Sequence, residues 1–408
     1  MTTPEALDLR GIVEADVYLG DDRVAHLARQ AGDQISFDYV AEGPAVGALR
    51  DTSVSWSLLR SRDYPVVTTG GAVPAFFAGL LPEGVRLGVV TTSTKTSADD
   101  HLTLLLAIGA DTIGNVRVFP AGVDPVQPAA MFDPAQDTDF RLVFEKLTGS
   151  VSADPVGLAG VQPKVSAGMV SAPTQTRSGP AILKLNPVEY PLLVENEHFF
   201  MTMAAACGLR AAATSLLHDA EGRSALLVTR FDRAGATRIA QEDACQVAGV
   251  YPASKYRITT EAAITGLAEA CARGGGSKVA ATAELLKTVV FSWLIGNGDL
   301  HGKNLSIYDL DGVWQPTPAY DLLCTQPYAG WRDPMALKLF GRANRLSRAN
   351  FVDAGERLGI RARATTRMID ELVDAANDWP DRCGQIGFGD RQTELLADML
   401  RTRLGSLK

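Results

Sequence analysis

The sequence predicts an α+β protein of two lobes, β-rich at its start and mostly helical at its end. Three observations carry this. A chain of 408 residues is long for one hydrophobic core. Residues 14 to 41 alternate apolar and polar side chains between glycine–aspartate breaks, the pattern of an antiparallel meander. Beyond residue 258 the apolar side chains recur at helical spacing instead. Three parts are expected: an N-terminal domain over 1–135, a β-rich lobe over 136–235 and a helical lobe over 236–408.

In the first part, VYLG, RVAHLAR and QISFDYV read as strands turning at Gly20-Asp21-Asp22 and Gly32-Asp33. AFFAGLLPEGVRL (75 to 87) reads as a helix interrupted at Pro82, and HLTLLLAIGAD (101 to 111) as a short helix ending at Gly109. No catalytic constellation is visible here. The Pro- and Asp-rich stretch 120–137 has the composition of a connector. After it, residues 157–170 and 179–187 read as two strands, 192–209 as a helix ending at Gly208, and SALLVTRFDR (224 to 233) as a further strand. The helical lobe follows, with ITTEAAITGLAEACARG, AELLKTVVFSWLIG, RATTRMIDELVDAANDW and TELLADMLRTRLGSL as its helices.

Composition removes several classes of function. No apolar run is long enough to cross a bilayer, and the acidic start MTTPEALDLRGIVEAD lacks a signal peptide's basic and apolar regions, so a cytoplasmic protein is expected. The five cysteines, Cys207, Cys245, Cys271, Cys324 and Cys383, are far apart, odd in number and form no CxxC pair, which argues against a zinc site and a disulfide framework. Any metal should be held by oxygen. A net charge of −8 argues against a broad basic face for nucleic acid.

The chemistry concentrates in FSWLIGNGDLHGKNLSIYDLDGVWQPTPAYDLL, residues 291 to 323. An apolar helix ends at Gly296, and Asn297, Asp299, His301, Lys303 and Asn304 follow within eight positions on a loop. A strand, a DLDG turn and a return strand then lead to Asp321. Phosphoryl transfer needs a carboxylate for the hydroxyl proton, an amide oxygen for Mg²⁺ and a second carboxylate bridging metal to phosphate. In protein kinases the loop HRDxxxxN places its Asp five positions before its Asn, and a strand pair leads on to the Asp of DFG. Asp299, Asn304 and Asp321 repeat that order and spacing. An Asn-Gly-Asp loop also caps helices and forms Asx turns. Lys303 reads as a phosphate contact or a solvated charge, His301 as a loop-ordering, nucleotide-contacting or space-filling group, and Trp293 as core.

Upstream, Lys184 interrupts the apolar strand AILKLNP, as the phosphate-holding lysine of kinases does, with Glu195 or Glu197 of the next helix as its partner. AGVQPK (159 to 164) is neither GxxxxGK(S/T) nor GxGxxG and by composition is only a turn. Phe231 and Asp232 fit either a hinge beside adenine or strand-end packing.

Together, LAGVQPK, ILKLNP, ENEHF, RFDR, QEDACQ, GNGDLHGKN and PAYDLL resemble the signatures of the HipA family, kinase toxins of bacterial type II toxin–antitoxin systems. The likeness extends over nearly the whole chain. It implies a protein-kinase-like fold with an N-terminal HipA-type domain, an ATP-binding β-rich lobe and a helical catalytic lobe. It implies Ser/Thr protein phosphorylation with ATP and Mg²⁺, Asp299 as base, Asn304 and Asp321 as metal ligands, and Lys184 as the phosphate lysine. Ala159, Gly160, Val161, Gln162, Pro163 and Lys164 would cover the nucleotide. Thr229, Arg230 and Phe231 would form the adenine hinge, while His301, Lys303 and Tyr320 would line the site. The family implies a protein substrate, aminoacyl-tRNA synthetases among them, and a helix-turn-helix antitoxin of the HipB type that takes the pair to operator DNA.

Two positions depart from the family: Thr229 stands where some relatives carry an acidic hinge residue, which leaves backbone contacts to adenine intact, and the other bears on control. Family members silence themselves by phosphorylating a serine just ahead of the AGxQxK loop, and here Gly157 stands in its place, with Ser150 and Ser152 nearby. Glycine has no hydroxyl to phosphorylate. Two rival readings are a small-molecule or lipid kinase, since GDLHGKN is also similar to the GDxHxxN loop of phosphoinositide kinases, and an inactive kinase fold acting with an antitoxin at DNA. The acceptor separates the first, and retention of Lys184, Asp299, Asn304 and Asp321 weighs against the second.

Overall fold

A computed structural model describes residues 8–41, 53–126, 139–148, 169–176 and 179–408. The N-terminal unit opens with β1 (Glu14–Leu19), β2 (Asp22–Gln30) and β3 (Gln34–Tyr39), the expected meander. With β4 (Val66–Thr68) and β5 (Val116–Pro120) these make a sheet of order β4-β3-β2-β1-β5. Three helices cover it: α1 (Ala75–Leu80), α2 (Gly84–Thr94) and α3 (His101–Ile108). Pro82 separates the first two, and Asp100 caps α3 by accepting from the Thr103 amide at 3.3 Å. Phe37, Phe76, Phe77, Leu104 and Leu105 lie in this unit's own core.

Helix α4 (Phe140–Thr148) precedes a second sheet built from β6 (Val170–Thr176), β7 (Gly179–Leu185), β8 (Thr214–His218) and β9 (Ser224–Thr229), in the antiparallel order β6-β7-β9-β8. Helix α5 (Leu193–Ala206) packs on it. The strand expected over 224–233 stops at Thr229, because Arg230 turns away into buried ion pairs with Asp111 and Asp232. A short hairpin, β10 (Arg233–Ala234) and β11 (Thr237–Arg238), follows.

Strand β12 (Gln241–Asp243) then leads into α6 (Ala244–Ala248), which Asp243 and Gln246 cap reciprocally. The helical lobe contains α7 (Thr260–Arg273) and α8 (Lys278–Ile295), whose N-caps are Thr259 and Ser277. Helix α8 is apolar on most of its circumference and runs through the core. After it come β13 (Ser306–Leu310) and β14 (Val313–Pro316), the hairpin expected between the loop and Asp321. β12 pairs with β13, not with the upstream sheet. The chain ends in α9 (Gln326–Ala329), α10 (Arg348–Arg357), α11 (Ala362–Ala376) and α12 (Asp390–Leu407).

One large core runs from β9 and α5 through α7, α8 and the last helices, so the second sheet and the helical lobe share an interior. They also meet as backbone. Ala211 and Ala319 form an isolated parallel bridge, with Ala319 N donating to Arg210 O at 2.6 Å and Ala212 N to Ala319 O at 2.9 Å. The N-terminal unit is fastened by buried polar contacts: Asp232 accepts from Arg230, Arg233 and the Gly114 amide, while Asp111 takes the other faces of both guanidiniums. Gln246 donates to Phe76 O at 3.1 Å and Tyr251 to Val73 O at 3.0 Å. All five cysteines are free and buried. Among the described residues no helix is long and apolar enough to cross a membrane.

Candidate active site

The loop after α8 is built by its cap. Gly296 takes a left-handed conformation with φ +75°, and its amide returns to the Ser292 and Trp293 carbonyls. Asn297 then accepts from the Asp299 amide at 2.8 Å, an Asx turn, and Thr325 Oγ1 accepts from Gly298 N at 2.9 Å. Glycine is required at 298, since a Cβ there would meet Asp333 Oδ2 at 1.9 Å. Gly302 N donates to Lys255 O at 3.2 Å, bracing the far end of the loop. The local capping role of Asn297 and the density of polar residues are therefore both real.

Around this loop the sequence-predicted residues converge from four segments. Asn304 donates through Nδ2 to Asp299 O and to Asp321 Oδ2, both at 3.0 Å. Lys184, on β7, donates to both oxygens of Glu197 at 2.8 and 2.9 Å and to Asp321 Oδ1 at 2.8 Å. Of the two candidate partners on α5, Glu197 faces the sheet, whereas Glu195 accepts from Asn186. Asp321 holds φ +58°, a conformation that costs a non-glycine residue about 1–3 kcal/mol and that often marks functional positions.

One buried ammonium thus serves two carboxylates. Burial works against the charge on Lys184, but Asp321 and Glu197 hold its pKa above the ordinary value. Burial also disfavours the Asp321 anion, yet Lys184 overcomes it and the carboxyl lies below its usual range. Glu197 carries the remaining cost, pushed up to about 7 by burial against the pull of Lys184.

Asp299 is 1 % exposed and accepts from the Tyr256 hydroxyl at 2.8 Å. His301 packs edge-on against Tyr256, and burial drops its pKa to about 3, so the imidazole is neutral. Tyr320 donates to Lys303 O at 2.6 Å and meets Ser306 Oγ, fixing the turn that carries Lys303. Lys303 itself is neither solvated nor alone: it donates to Glu83, on the N-terminal unit, at 2.8 Å.

At the expected hinge, Phe231 stands against Tyr308 and Tyr320, the Thr229 amide donates to Ala213 O, and the Arg230 side chain is spent on Asp111, Asp232 and Thr112 O. Asp232 proves to be a buried anchor for those arginines. The covering loop Ala159 to Lys164, with Gly157, Ser150 and Ser152, lies outside the described residues. Sequence reading missed Glu83, Lys255 and Tyr256. The only local signal for Glu83 was a charged residue at the Pro-Glu-Gly break between two apolar helices.

Among the described residues no group of three His, Cys, Asp or Glu is suited to a metal. Asn304 and Asp321 nevertheless fit Mg²⁺, which commonly takes one or two protein oxygens and completes its shell with water and substrate phosphates.

Known proteins share the order of parts seen in this chain. Residues 15–119 match the family model of the HipA N-terminal domain, and residues 156–379 that of the HipA-like C-terminal domain. The serine/threonine-protein kinase toxin HipA of Shewanella oneidensis is 29% identical over 366 residues, 83% of this chain and 80% of that protein. Y4mE of Sinorhizobium fredii is 30% identical over 321 residues, 74% of this chain and 76% of its own length. In structure, HipA from the Shewanella oneidensis MR-1 complex of HipA, HipB and operator DNA superposes over 96% of both chains with a TM-score of 0.74 at 21% identity, a likeness of fold. With both halves of the family matched in order over one continuous chain, this protein belongs to the HipA family of serine/threonine-protein kinase toxins.

Proposed function

We propose that this kinase transfers the γ-phosphoryl group of ATP to a Ser or Thr hydroxyl of a host protein, an aminoacyl-tRNA synthetase being the class that family resemblance favours. One observation carries the reading: Lys184 joins Glu197 to Asp321 while Asn304 joins Asp321 to the Asp299 backbone, all at 2.8–3.0 Å. Five residues scattered over the chain are thereby brought together, an arrangement that supports phosphoryl transfer.

In this reading Asp299 orients the acceptor hydroxyl and takes its proton, and Lys184 holds the α- and β-phosphates from the sheet side. Asn304 Oδ1 and the Asp321 carboxylate would hold Mg²⁺. When bound, Mg²⁺ supplies neutralisation of phosphate charge. Neutral His301 would contribute a hydrogen-bonding wall without adding charge, and Lys303 a cation near the phosphates. Ala159 to Lys164 would cover the nucleotide, with Thr229 to Phe231 and Tyr320 against its base.

An antitoxin of the HipB type is the proposed partner, with DNA reached only through it, supported by the assembly in which the Shewanella relative was solved. A cytoplasmic location goes with that reading. With glycine at 157, silencing by phosphorylation at that position is impossible, and control would fall on the antitoxin.

The test is transfer from [γ-³²P]ATP with Mg²⁺ into host lysate, wild type beside Asp299→Asn, with labelled proteins identified by mass spectrometry. Labelling of a distinct protein by wild type alone supports the reading. ATP binding without transfer by wild type would replace it with the regulatory one.

A further inference from the structure

Glu83 stands at the joint between α1 and α2, after Pro82 and before Gly84, whose φ is +55°. It is the N-cap residue of α2, yet its side chain makes no cap hydrogen bond. Both carboxylate oxygens reach across to the kinase lobe instead: Oε1 accepts from Lys303 at 2.8 Å and Oε2 is paired with Lys255. Burial opposes its ionisation, but Lys303 and Lys255 together hold the carboxyl at about 2.

The two lysines are already tied to the catalytic loop. Lys303 precedes Asn304 on the turn that Tyr320 fixes, and Lys255 accepts from Gly302 N through its own carbonyl. Tyr256, next in sequence to Lys255, donates to Asp299. The joint that presents Glu83 is itself pinned. A Cβ on Gly79 of α1 would meet Gln246 Cγ at 2.8 Å, so the helix lies close against α6, and Gln246 donates to Phe76 O.

We propose that Glu83 is a positioning residue of the kinase site, supplied by the N-terminal domain, which holds Lys303 and Lys255 in place for the phosphates of ATP. This rests on the reading above that Lys303 serves the nucleotide. Two ammonium groups at one rim repel each other, and a bridging carboxylate removes that repulsion. Each ammonium has three N–H donors and gives Glu83 a share of them, so donors are left for phosphate oxygens. The arrangement repeats the logic of Lys184 and Glu197, with the acid now coming from another domain. A phosphoryl-transfer site so built is complete only while the N-terminal domain is docked.

The experiment is isothermal titration of the full-length protein with ATP and Mg²⁺, beside the lysate transfer assay, on wild type, Glu83→Gln, Lys303→Met, their double variant and Asp299→Asn. Glu83→Gln is expected to weaken ATP binding about tenfold, the scale of one lost charge-assisted contact. In the Lys303→Met background the same change should weaken it clearly less than tenfold, because part of the action of Glu83 goes through that lysine and only the part through Lys255 remains. A merely structural role would lower the melting temperature and cost the same in both backgrounds. Unchanged or tighter ATP binding by Glu83→Gln overturns the proposal, the latter by showing that the carboxylate competes with phosphate. If Glu83→Gln does not fold, Glu83→Asp, which keeps the charge on a shorter arm, is expected to bind ATP more weakly than wild type, and wild-type affinity there overturns the proposal equally. Asp299→Asn keeps the two failures apart: if it still transfers phosphate, the site reading itself fails whatever Glu83 does.

Discussion

Lys184 and Asp321 lie 137 positions apart in sequence and meet at 2.8 Å, Nζ to Oδ1. The contact spans the second sheet and the turn after β14, and Glu197 shares the same ammonium. Sheet, helix α5 and the turn that carries Asp321 are therefore held by one charge.

Replacing that charge by Lys184→Met leaves Glu197 and Asp321 buried without a counter-ion. Breaking a buried pair in this way costs about 3–5 kcal/mol, and urea unfolding should show a loss of that size. Adding Glu197→Gln should recover part of the stability while ATP binding stays weak, since only one of the two effects is about uncompensated charge.

Asp299→Asn keeps the volume of the side chain and its place beside Tyr256, so the melting temperature should hold. Loss of the proposed general base should lower the chemical step by about a hundred- to ten-thousand-fold, and initial rates of ³²P transfer at saturating ATP measure it.

Gly298→Ala drives a Cβ onto Asp333 Oδ2 and Thr325 Oγ1. Asp333 and Thr325 hold each other at 2.8 Å, and Thr325 holds the Gly298 amide, so the loop moves with them. A displacement near 1 Å costs about a hundredfold in rate, expected here in kcat with ATP binding largely kept.

Glu242 gives the protein a pH dependence. It is buried, hydrogen-bonded to Ser55 and the Trp56 amide, and pushed by burial from 4.5 to about 8. A raised folded pKa means stability fully present below about pH 4.5 and lost as the pH rises through about 8. Glu242→Gln mimics the protonated acid and removes this loss. The variant should exceed wild type on the order of a few kcal/mol in urea unfolding at pH 9, with the gap closing toward pH 4.5. Asp243, raised to about 6, adds a slope of the same sign that the variant retains.

Much of this site was legible because its residues are close in sequence or break a local pattern. Asp299, Asn304 and Asp321 form a spaced motif, and Lys184 interrupts an apolar strand. The choice between Glu195 and Glu197 was not legible, for both sit near the start of α5 and only the packing of the helix decides which one meets β7. Strand β8 escaped because its residues are mostly half-exposed and show no clean alternation. The pairing of β12 with β13 escaped because helices α6 to α8 and their loops separate strands that only tertiary structure joins. Glu83 and Tyr256 reach the loop from 220 and 43 positions away, respectively to Lys303 and Asp299, and neither spacing repeats a pattern that one chain can display.

The backbone bridge between Ala211 and Ala319 bears on cooperativity. Two residues beyond it stands Asp321, and the large core runs beneath both lobes. Denaturant that frays the segment entering edge strand β8, at Ala212, also releases the chain leading into Asp321, so neither lobe has a private melting event. Heating should produce one calorimetric transition for the sheet and helices together, with phosphoryl-transfer competence vanishing on the same curve.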